Sequence, residues 1–211
     1  MKKLTVILGI LLSVIMMASC SSQGGLTKQQ RADMRNIKKQ AKEYKKEGWK
    51  APIGVPSIET QLSEVYRRQA ELDDKGFCKY VTGEAMTVGE TYDAARFMAL
   101  NLSKLELAGM IETQIAELIE TKLANKELSQ KEAASLAESA AASKNLVAQK
   151  LGRVIVPVNV YRDLPNGNVE VRVITMYSHD LAMESYKQTM RDDLEKKADE
   201  LSNQLDRILK F

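Results

Sequence analysis

The stretch 154-VIVPVNVYRDLPNGNVEVRVIT-175 decides the fold. Valine occupies every second position over 154–160 and again over 169–173, on either side of Pro165-Asn166-Gly167. Alternation with a period of two is typical of β-strands, and Asn-Gly between two such runs indicates a hairpin. The pattern therefore predicts two antiparallel strands with one valine face that another layer must cover. Pro157 lacks a backbone donor, so we expect its strand at an edge of the sheet or locally irregular.

The segments that flank the hairpin have the apolar period of amphipathic helices. Ser57, Ser129 and Ser178 stand where helix N-caps are expected, and Ser129 with Glu132 has the pattern of a capping box. The predicted elements are helices over 58–72, 91–125, 129–151 and 178–208, with a strand over 77–87. Together with the hairpin, they predict an α+β fold in which a small antiparallel sheet is covered on one face by long helices.

The end of the long C-terminal helix has two interpretations. Its apolar residues follow near-heptad spacing, which is typical of helices that bind a second helix. They are Leu194, Ala198, Leu201, Leu205 and Ile208. The stripe predicts either self-association or contact with another envelope protein, or else ordinary packing within the domain.

The N-terminus has the three parts of an export signal. A basic start at Met1-Lys2-Lys3 precedes a largely apolar run over 4–18, and small residues lead to Cys20. Fifteen helical residues span only about 22 Å, whereas a bilayer core is roughly 30 Å thick. We therefore predict a signal peptide over 1–19 and not a permanent transmembrane helix.

Met17-Ala18-Ser19-Cys20 resembles the lipobox of bacterial lipoproteins. The resemblance implies a diacylglycerol thioether on Cys20 and an acyl chain such as palmitate on its amine. Such an anchor gains about 0.8 kcal/mol for each buried methylene. Because Ser21, and not Asp, follows Cys20, the resemblance favours the outer membrane over the inner membrane. The predicted organisation is a lipidated N-terminus and basic tether over 20–56, followed by one domain over 57–211.

Positive charge is concentrated directly after the proposed anchor. Nine basic and three acidic residues lie within 27–50, in a stretch that also has a thin apolar stripe. A cationic amphipathic segment beside a lipid anchor is expected to contact anionic headgroups. The predicted contact residues are Lys28, Arg31, Arg35, Lys38, Lys39 and Lys42. The alternative is a solvated tether whose lysines only maintain solubility.

Few residues offer chemistry. His179 is the only histidine, and with Ser178 and Asp180 it fits a helix start better than a catalytic triad. Cys78 is expected to be a small buried residue, and it has no disulfide partner if Cys20 carries lipid. This inventory predicts no zinc site and no cofactor. Nucleic-acid binding is not expected either, because the basic stretch lacks interleaved aromatic residues.

Carboxylates keep one enzymatic alternative open. A peptidoglycan hydrolase needs only a pair of acids, and candidate pairs occur at Glu117/Glu120, Asp73/Asp74 and Asp192/Asp193. A third possibility is a small-ligand carrier with an apolar cavity between sheet and helices. The favoured prediction is a non-enzymatic envelope lipoprotein in the periplasm that acts by binding or self-association.

The central part of the chain resembles one known family. The segments Gly83-Glu84-Ala85, 92-YDAARFMA-99 and 107-LAGMI-111, followed by the valine-rich hairpin, are similar to LPP20-like bacterial lipoproteins. The segment around Gly48-Trp49 and the long final helix also resemble lipoproteins of Bacteroidetes type. The resemblance implies a small α+β domain over roughly 77–180 in an outer-membrane lipoprotein, and it implies no catalytic residue.

Overall fold

A computed structural model describes residues 28–74, 76–197 and 200–209 of the chain, without the side chains of 28–30. In chain order the elements are α1 (Lys28–Lys46), α2 (Ile58–Gln69), β1 (Tyr80–Gly89), α3 (Tyr92–Ala124), α4 (Gln130–Lys150), β2 (Ile155–Asp163), β3 (Val169–Ser178), α5 (His179–Lys196), a 3-10 turn (Glu200–Gln204) and α6 (Leu205–Ile208). The predicted α+β class is confirmed. Two compact units are distinguished, Met1–Arg35 and Asn36–Phe211.

The sheet has three antiparallel strands in the order β1-β3-β2. The predicted hairpin is confirmed: Leu164 N–H donates to Asn168 O at 2.8 Å, and Gly167 turns the chain with a φ of +85°. This turn sets Asp163 opposite Val169 and, with it, the register of the whole strand pair.

The register places Val158 and Val160 on one face of the sheet and Val171 and Val173 on the other. Val158 lies opposite Ile174, whereas Val171 lies opposite Tyr161 and Val173 opposite Asn159. One cluster joins β2 and β3 to α1 and α2, and it contains Val158, Val160, Ile174 and Met176. The other joins them to α3 through Val171 and Val173. The prediction of one valine face covered from one side is therefore wrong, because helices bury both faces.

The prediction for Pro157 is confirmed. β2 is an edge strand, and its pairing with β3 shifts between Ile155 and Val158, where the proline removes a donor.

Helix α3 begins as predicted and lies against the sheet at close range. Thr91 caps it by accepting from Ala94 N–H, and Ala95 and Ala99 pack on β3. Gly83 in β1 permits this approach: a Cβ there would lie 2.2 Å from Ser103 O and 2.9 Å from Leu107 Cγ. Small residues on both elements thus set the spacing between helix and strand.

Beyond the sheet, α3, α4 and α5 build a helical core of their own. The predicted capping box of Ser129 and Glu132 starts α4, whose alanine-rich face packs on α3 as expected. Tyr186 of α5 is fully buried here, and its O–H donates to Ala140 O at 2.7 Å. Burial raises the pKa of Tyr186 well above its usual value.

The long C-terminal helix is not clearly present. α5 ends at Lys196, and the chain continues as the 3-10 turn and α6. Asp206 pairs with Arg191 at 2.8 Å, which holds the end of the chain against α5. Leu194, Leu201, Leu205 and Ile208 are buried in the same core, whereas Ala198 lies outside the described residues. The near-heptad stripe therefore packs within the domain.

Gly83→Ala is predicted to destabilise the fold by about 3 kcal/mol, because the new methyl overlaps backbone that cannot move aside cheaply. Gly152→Ala is the matched control, since a Cβ at Gly152 meets nothing within 4 Å. Urea unfolding of both proteins measures the difference. Equal midpoints would show that α3 does not lie this close to β1.

Leu205→Ala is predicted to cost about 2–5 kcal/mol of folding stability, since Leu205 is 0% exposed and its loss leaves a cavity. The control is Leu181→Ala, because Leu181 is 59% exposed and its loss changes stability by less than about 0.5 kcal/mol. Thermal unfolding compares the two. A Leu205→Ala protein that melts like the wild type would contradict packing of the C-terminal stripe in the core.

Candidate membrane-binding site

One side of α1 is fixed to the sheet. Ile37, Ala41 and Tyr44 recur at helical spacing, and all three are buried against the face of β2 and β3 that carries Val158. The compact unit therefore begins at Asn36, well before the domain boundary predicted at residue 57. Ile37, Ala41, Tyr44 and Trp49 are buried, so residues 36–49 are part of the packed domain and not a solvated tether.

A C-terminal cap and two cation–π contacts fix the end of α1. Gly48 has a φ of +87°, and Trp49 N–H donates to Tyr44 O at 3.0 Å, which closes the last turn. The Arg162 guanidinium lies 4.7 Å from the centre of the Trp49 ring, and Arg172 lies 5.1 Å from that of Tyr44. These cation–π contacts hold the helix in one rotation about its axis.

The rotation leaves a row of lysines in solvent. Lys38, Lys39, Lys42, Lys45 and Lys46 are all exposed, and among the described residues none of these five forms an ion pair. We call this row the lysine face. Most basic residues of the other elements are paired, as Lys144 is with Glu112 and Lys150 with Asp192. The lysine face therefore carries positive charge that no carboxylate in contact neutralises.

The other predicted contact residues precede this unit. Arg31 and Arg35 belong to the Met1–Arg35 unit and are exposed. Lys28 starts α1, but its side chain lies outside the described residues, as does Cys20. Over the residues that the structure describes, no helix is both long and apolar enough to cross a bilayer.

The candidate acid pairs occupy structural positions. Asp73 accepts from Phe77 N–H at 2.8 Å within a turn, and Asp193 pairs with Lys197 at 3.1 Å. A hydrogen bond from Gln188, with the charge of Lys150, lowers the pKa of Asp192. A general acid needs a raised pKa, so this shift runs against that role. Glu117 and Glu120 are exposed on the surface of α3.

His179 and its neighbours form a helix start, as predicted. Ser178 caps α5 by accepting from Leu181 N–H, and His179 Nε2 lies 2.9 Å from Gln114 Oε1. Among the described residues there is no group of three His, Cys, Asp or Glu side chains placed to hold a metal ion.

Cys78 is exposed, so the prediction of a buried thiol is wrong. Strand β1 begins only at Tyr80, and Cys78 lies before it in an irregular segment that pairs with Leu72 through an isolated bridge. The apolar run that suggested a buried strand thus starts outside the sheet.

Sequence reasoning missed a shallow groove of about 400 Å³ on α3 and α4. It is lined by Leu102, Leu105, Glu106, Gly109, Met110, Thr113 and Lys144. We call it the α3 groove. It lies on the outside of the helices, whereas a ligand carrier was expected to have a cavity between helices and sheet. In the sequence, Gly109 within the helix was the available signal. In the structure, a Cβ at this position would lie 3.1 Å from Lys144 Cε.

Comparison with known proteins identified no relative of the chain. No family model matches the chain, and no curated protein or solved structure is significantly similar to it.

Proposed function

We propose that the chain is a non-enzymatic lipoprotein of the bacterial envelope, anchored through acyl chains on Cys20, with the lysine face of α1 against anionic headgroups. The observation that carries the second part is the row of five exposed lysines with no ion pair among the described residues. The first part rests on the lipobox resemblance of 17-MASC-20. The outer membrane is the preferred location because Ser21 follows Cys20.

The anchor and the lysine face act together. A basic residue near an anionic surface contributes about 1 kcal/mol, which alone gives only weak and salt-sensitive binding. Lys38 follows Cys20 by only eighteen positions. Once the acyl chains are inserted, contact between lysines and headgroups becomes an intramolecular step at high effective concentration. The anchor therefore retains the protein, and the lysine face orients it.

Orientation decides which surface is offered to partners. α1 and α2 cover one face of the sheet, and α3 covers the other. A domain that rests on the membrane through α1 presents α3 and its groove away from the lipid. This arrangement supports a role in binding other envelope components.

The two alternative functions gain no comparable support. No described pair of carboxylates faces the α3 groove, in which Glu106 is the acidic residue. The LPP20-like lipoproteins remain the proposed relatives, since the order of strand, long helix and hairpin agrees with the domain that the resemblance implies.

Cys20→Ser is predicted to abolish acylation and to release the protein from the membrane fraction, because the sulfur that carries the lipid is lost. Mass spectrometry of the wild-type N-terminal peptide is expected to show a chain that starts at Cys20 with acyl mass. Cys78→Ser removes the exposed thiol and serves as the control, with lipidation and fractionation unchanged. A mature protein with unmodified Cys20 would refute the anchor.

Replacing Lys38, Lys42 and Lys46 by Gln is predicted to weaken binding to anionic vesicles by roughly 100-fold. The test uses residues 20–211 with Cys20→Ser, so that no acyl chain contributes, and vesicles with or without phosphatidylglycerol at low salt. The control replaces three exposed basic residues of other segments, Lys131, Arg153 and Lys196, by Gln. An equal loss in both triple variants would contradict a specific lysine face.

A further inference from the structure

The connection between α1 and α2 carries the most exposed large apolar side chain of the residues that the structure describes. Ile53 is 105% exposed, whereas the next such residue, Phe97, is 67% exposed. The segment around it, 51-APIGVP-56, has no polar side chain. Proline and glycine are ordinary turn residues, but a polar residue is usual beside them. This connection therefore offers an apolar tip where water-soluble loops offer a polar one.

Both ends of the connection are held against the edge of β2. Lys50 exchanges backbone hydrogen bonds of 2.7 and 2.9 Å with Tyr161. Gln61 fixes the other end, because its side chain donates to Pro56 O and accepts from Asn159 N–H, both at 2.7 Å. Tyr161 and Asn159 are about 7 Å apart along the strand, whereas an extended chain as long as the connection reaches about 20 Å. The excess length must leave the edge as a projecting turn.

Ile53 stands at a corner of that turn. Val55 N–H donates to Pro52 O at 3.2 Å, and Gly54 has a φ of +81°, which a type II turn requires at its third position. Ile53 occupies the second position. Because the turn is closed by this hydrogen bond and fixed at both ends, little further ordering is needed when the side chain of Ile53 is buried in a partner.

The end of the lysine face lies beside the base of this turn. Trp49 closes the last turn of α1 and lies under the guanidinium of Arg162, the residue next to the one that binds Lys50. The end of α1 and the turn thus start from adjacent residues of β2. Lys45 and Lys46 are exposed there, and neither forms an ion pair among the described residues.

The acidic residues near the turn do not neutralise these two lysines. Asp163 pairs with Lys50 at 2.7 Å, and Glu47 accepts from Trp49 Nε1 at 3.1 Å. Glu59, in the first turn of α2, is exposed and has no ion pair among the described residues, so it opposes contact with an anionic surface. Its removal must therefore strengthen binding to such a surface.

We propose that the turn over 52–55 inserts into an anionic bilayer, with Ile53 among the acyl chains and Lys45 and Lys46 on the headgroups. The inference rests on the proposed contact of the lysine face with anionic lipid, and it adds the residue that enters the hydrocarbon. Segments bound at a bilayer surface bury apolar side chains about 5–10 Å deep and keep basic side chains at the headgroups. An apolar tip beside lysines that have no ion pair has this arrangement.

Insertion of Ile53 gives the domain a second point of attachment. Cys20 precedes the lysine face in the chain, and Ile53 follows it. An acyl anchor alone holds a domain near the membrane but leaves it free to rotate about the linking residues. A second contact at the other end of α1 forms as an intramolecular step once the anchor is in place, and it removes that rotation.

Ile53→Ser is predicted to weaken binding to phosphatidylglycerol vesicles about tenfold, in residues 20–211 with Cys20→Ser, because the apolar side chain no longer leaves water. Salt is expected to weaken this variant and the wild type in parallel, since apolar burial is not screened. Ile53→Leu keeps the affinity, and Leu181→Ser, at an exposed leucine of α5, is the matched control. Equal urea midpoints verify that all variants fold.

The outcomes separate the insertion from the lysine face. Ile53→Ser that binds like the wild type, or an equal loss in Leu181→Ser, would overturn the insertion and leave the lysine face in place. A wild-type protein that ignores phosphatidylglycerol would refute both. Glu59→Gln is expected to bind about fivefold more tightly, because one repulsive charge is removed. Unchanged or weaker binding of Glu59→Gln would contradict a membrane-bound turn.

A fluorescent probe in the acylated full-length product locates the turn directly. With Cys78→Ser as background, Ile53→Cys carries a nitrobenzoxadiazole label, and Leu181→Cys is the control. In phosphatidylglycerol vesicles the label at 53 is expected to shift to the blue and to be quenched several-fold more by nitroxide on the acyl chains than the label at 181. A label at 53 that stays in water, or equal quenching at both positions, would overturn the proposal. Flotation with phosphatidylcholine vesicles reports separately on the anchor.

Discussion

The register of the β2–β3 hairpin is the constraint on which the rest of the structure depends. Leu164 and Asn168 close the turn, and Asp163 then stands opposite Val169. Because neighbouring residues of a strand face opposite sides, a slip of one position would exchange the two buried faces. In the observed register both faces are apolar. The sheet must therefore bind helices on both sides, α1 and α2 on one and α3 on the other. The lysine face and the α3 groove end up on opposite sides for this reason.

Local signals in the sequence were sufficient for the elements but not for their packing. The apolar period locates α3 almost to the residue, and the period together with the cap at Ser129 does the same for α4. The face to which Val158 points depends on a turn hydrogen bond, which alternation alone does not specify. The stripe from Leu194 to Ile208 has the same period whether it continues as one helix or folds back. The ion pair of Arg191 with Asp206 and the burial of Leu201 and Leu205 favour the folded-back form, and these are contacts between segments.

For the same reason, the sequence predicted only part of the candidate site. A cluster of lysines after Cys20 is visible in the sequence, and their exposure follows from their charge. What the sequence did not reveal is that α1 belongs to the core, since its apolar stripe is thin. Trp49 completes that stripe only after the chain turns at Gly48, and Arg162 and Arg172 reach it from the hairpin. The same contacts convert a basic segment into a surface of fixed orientation. The α3 groove arises where two helices and a strand edge meet, which no single segment encodes.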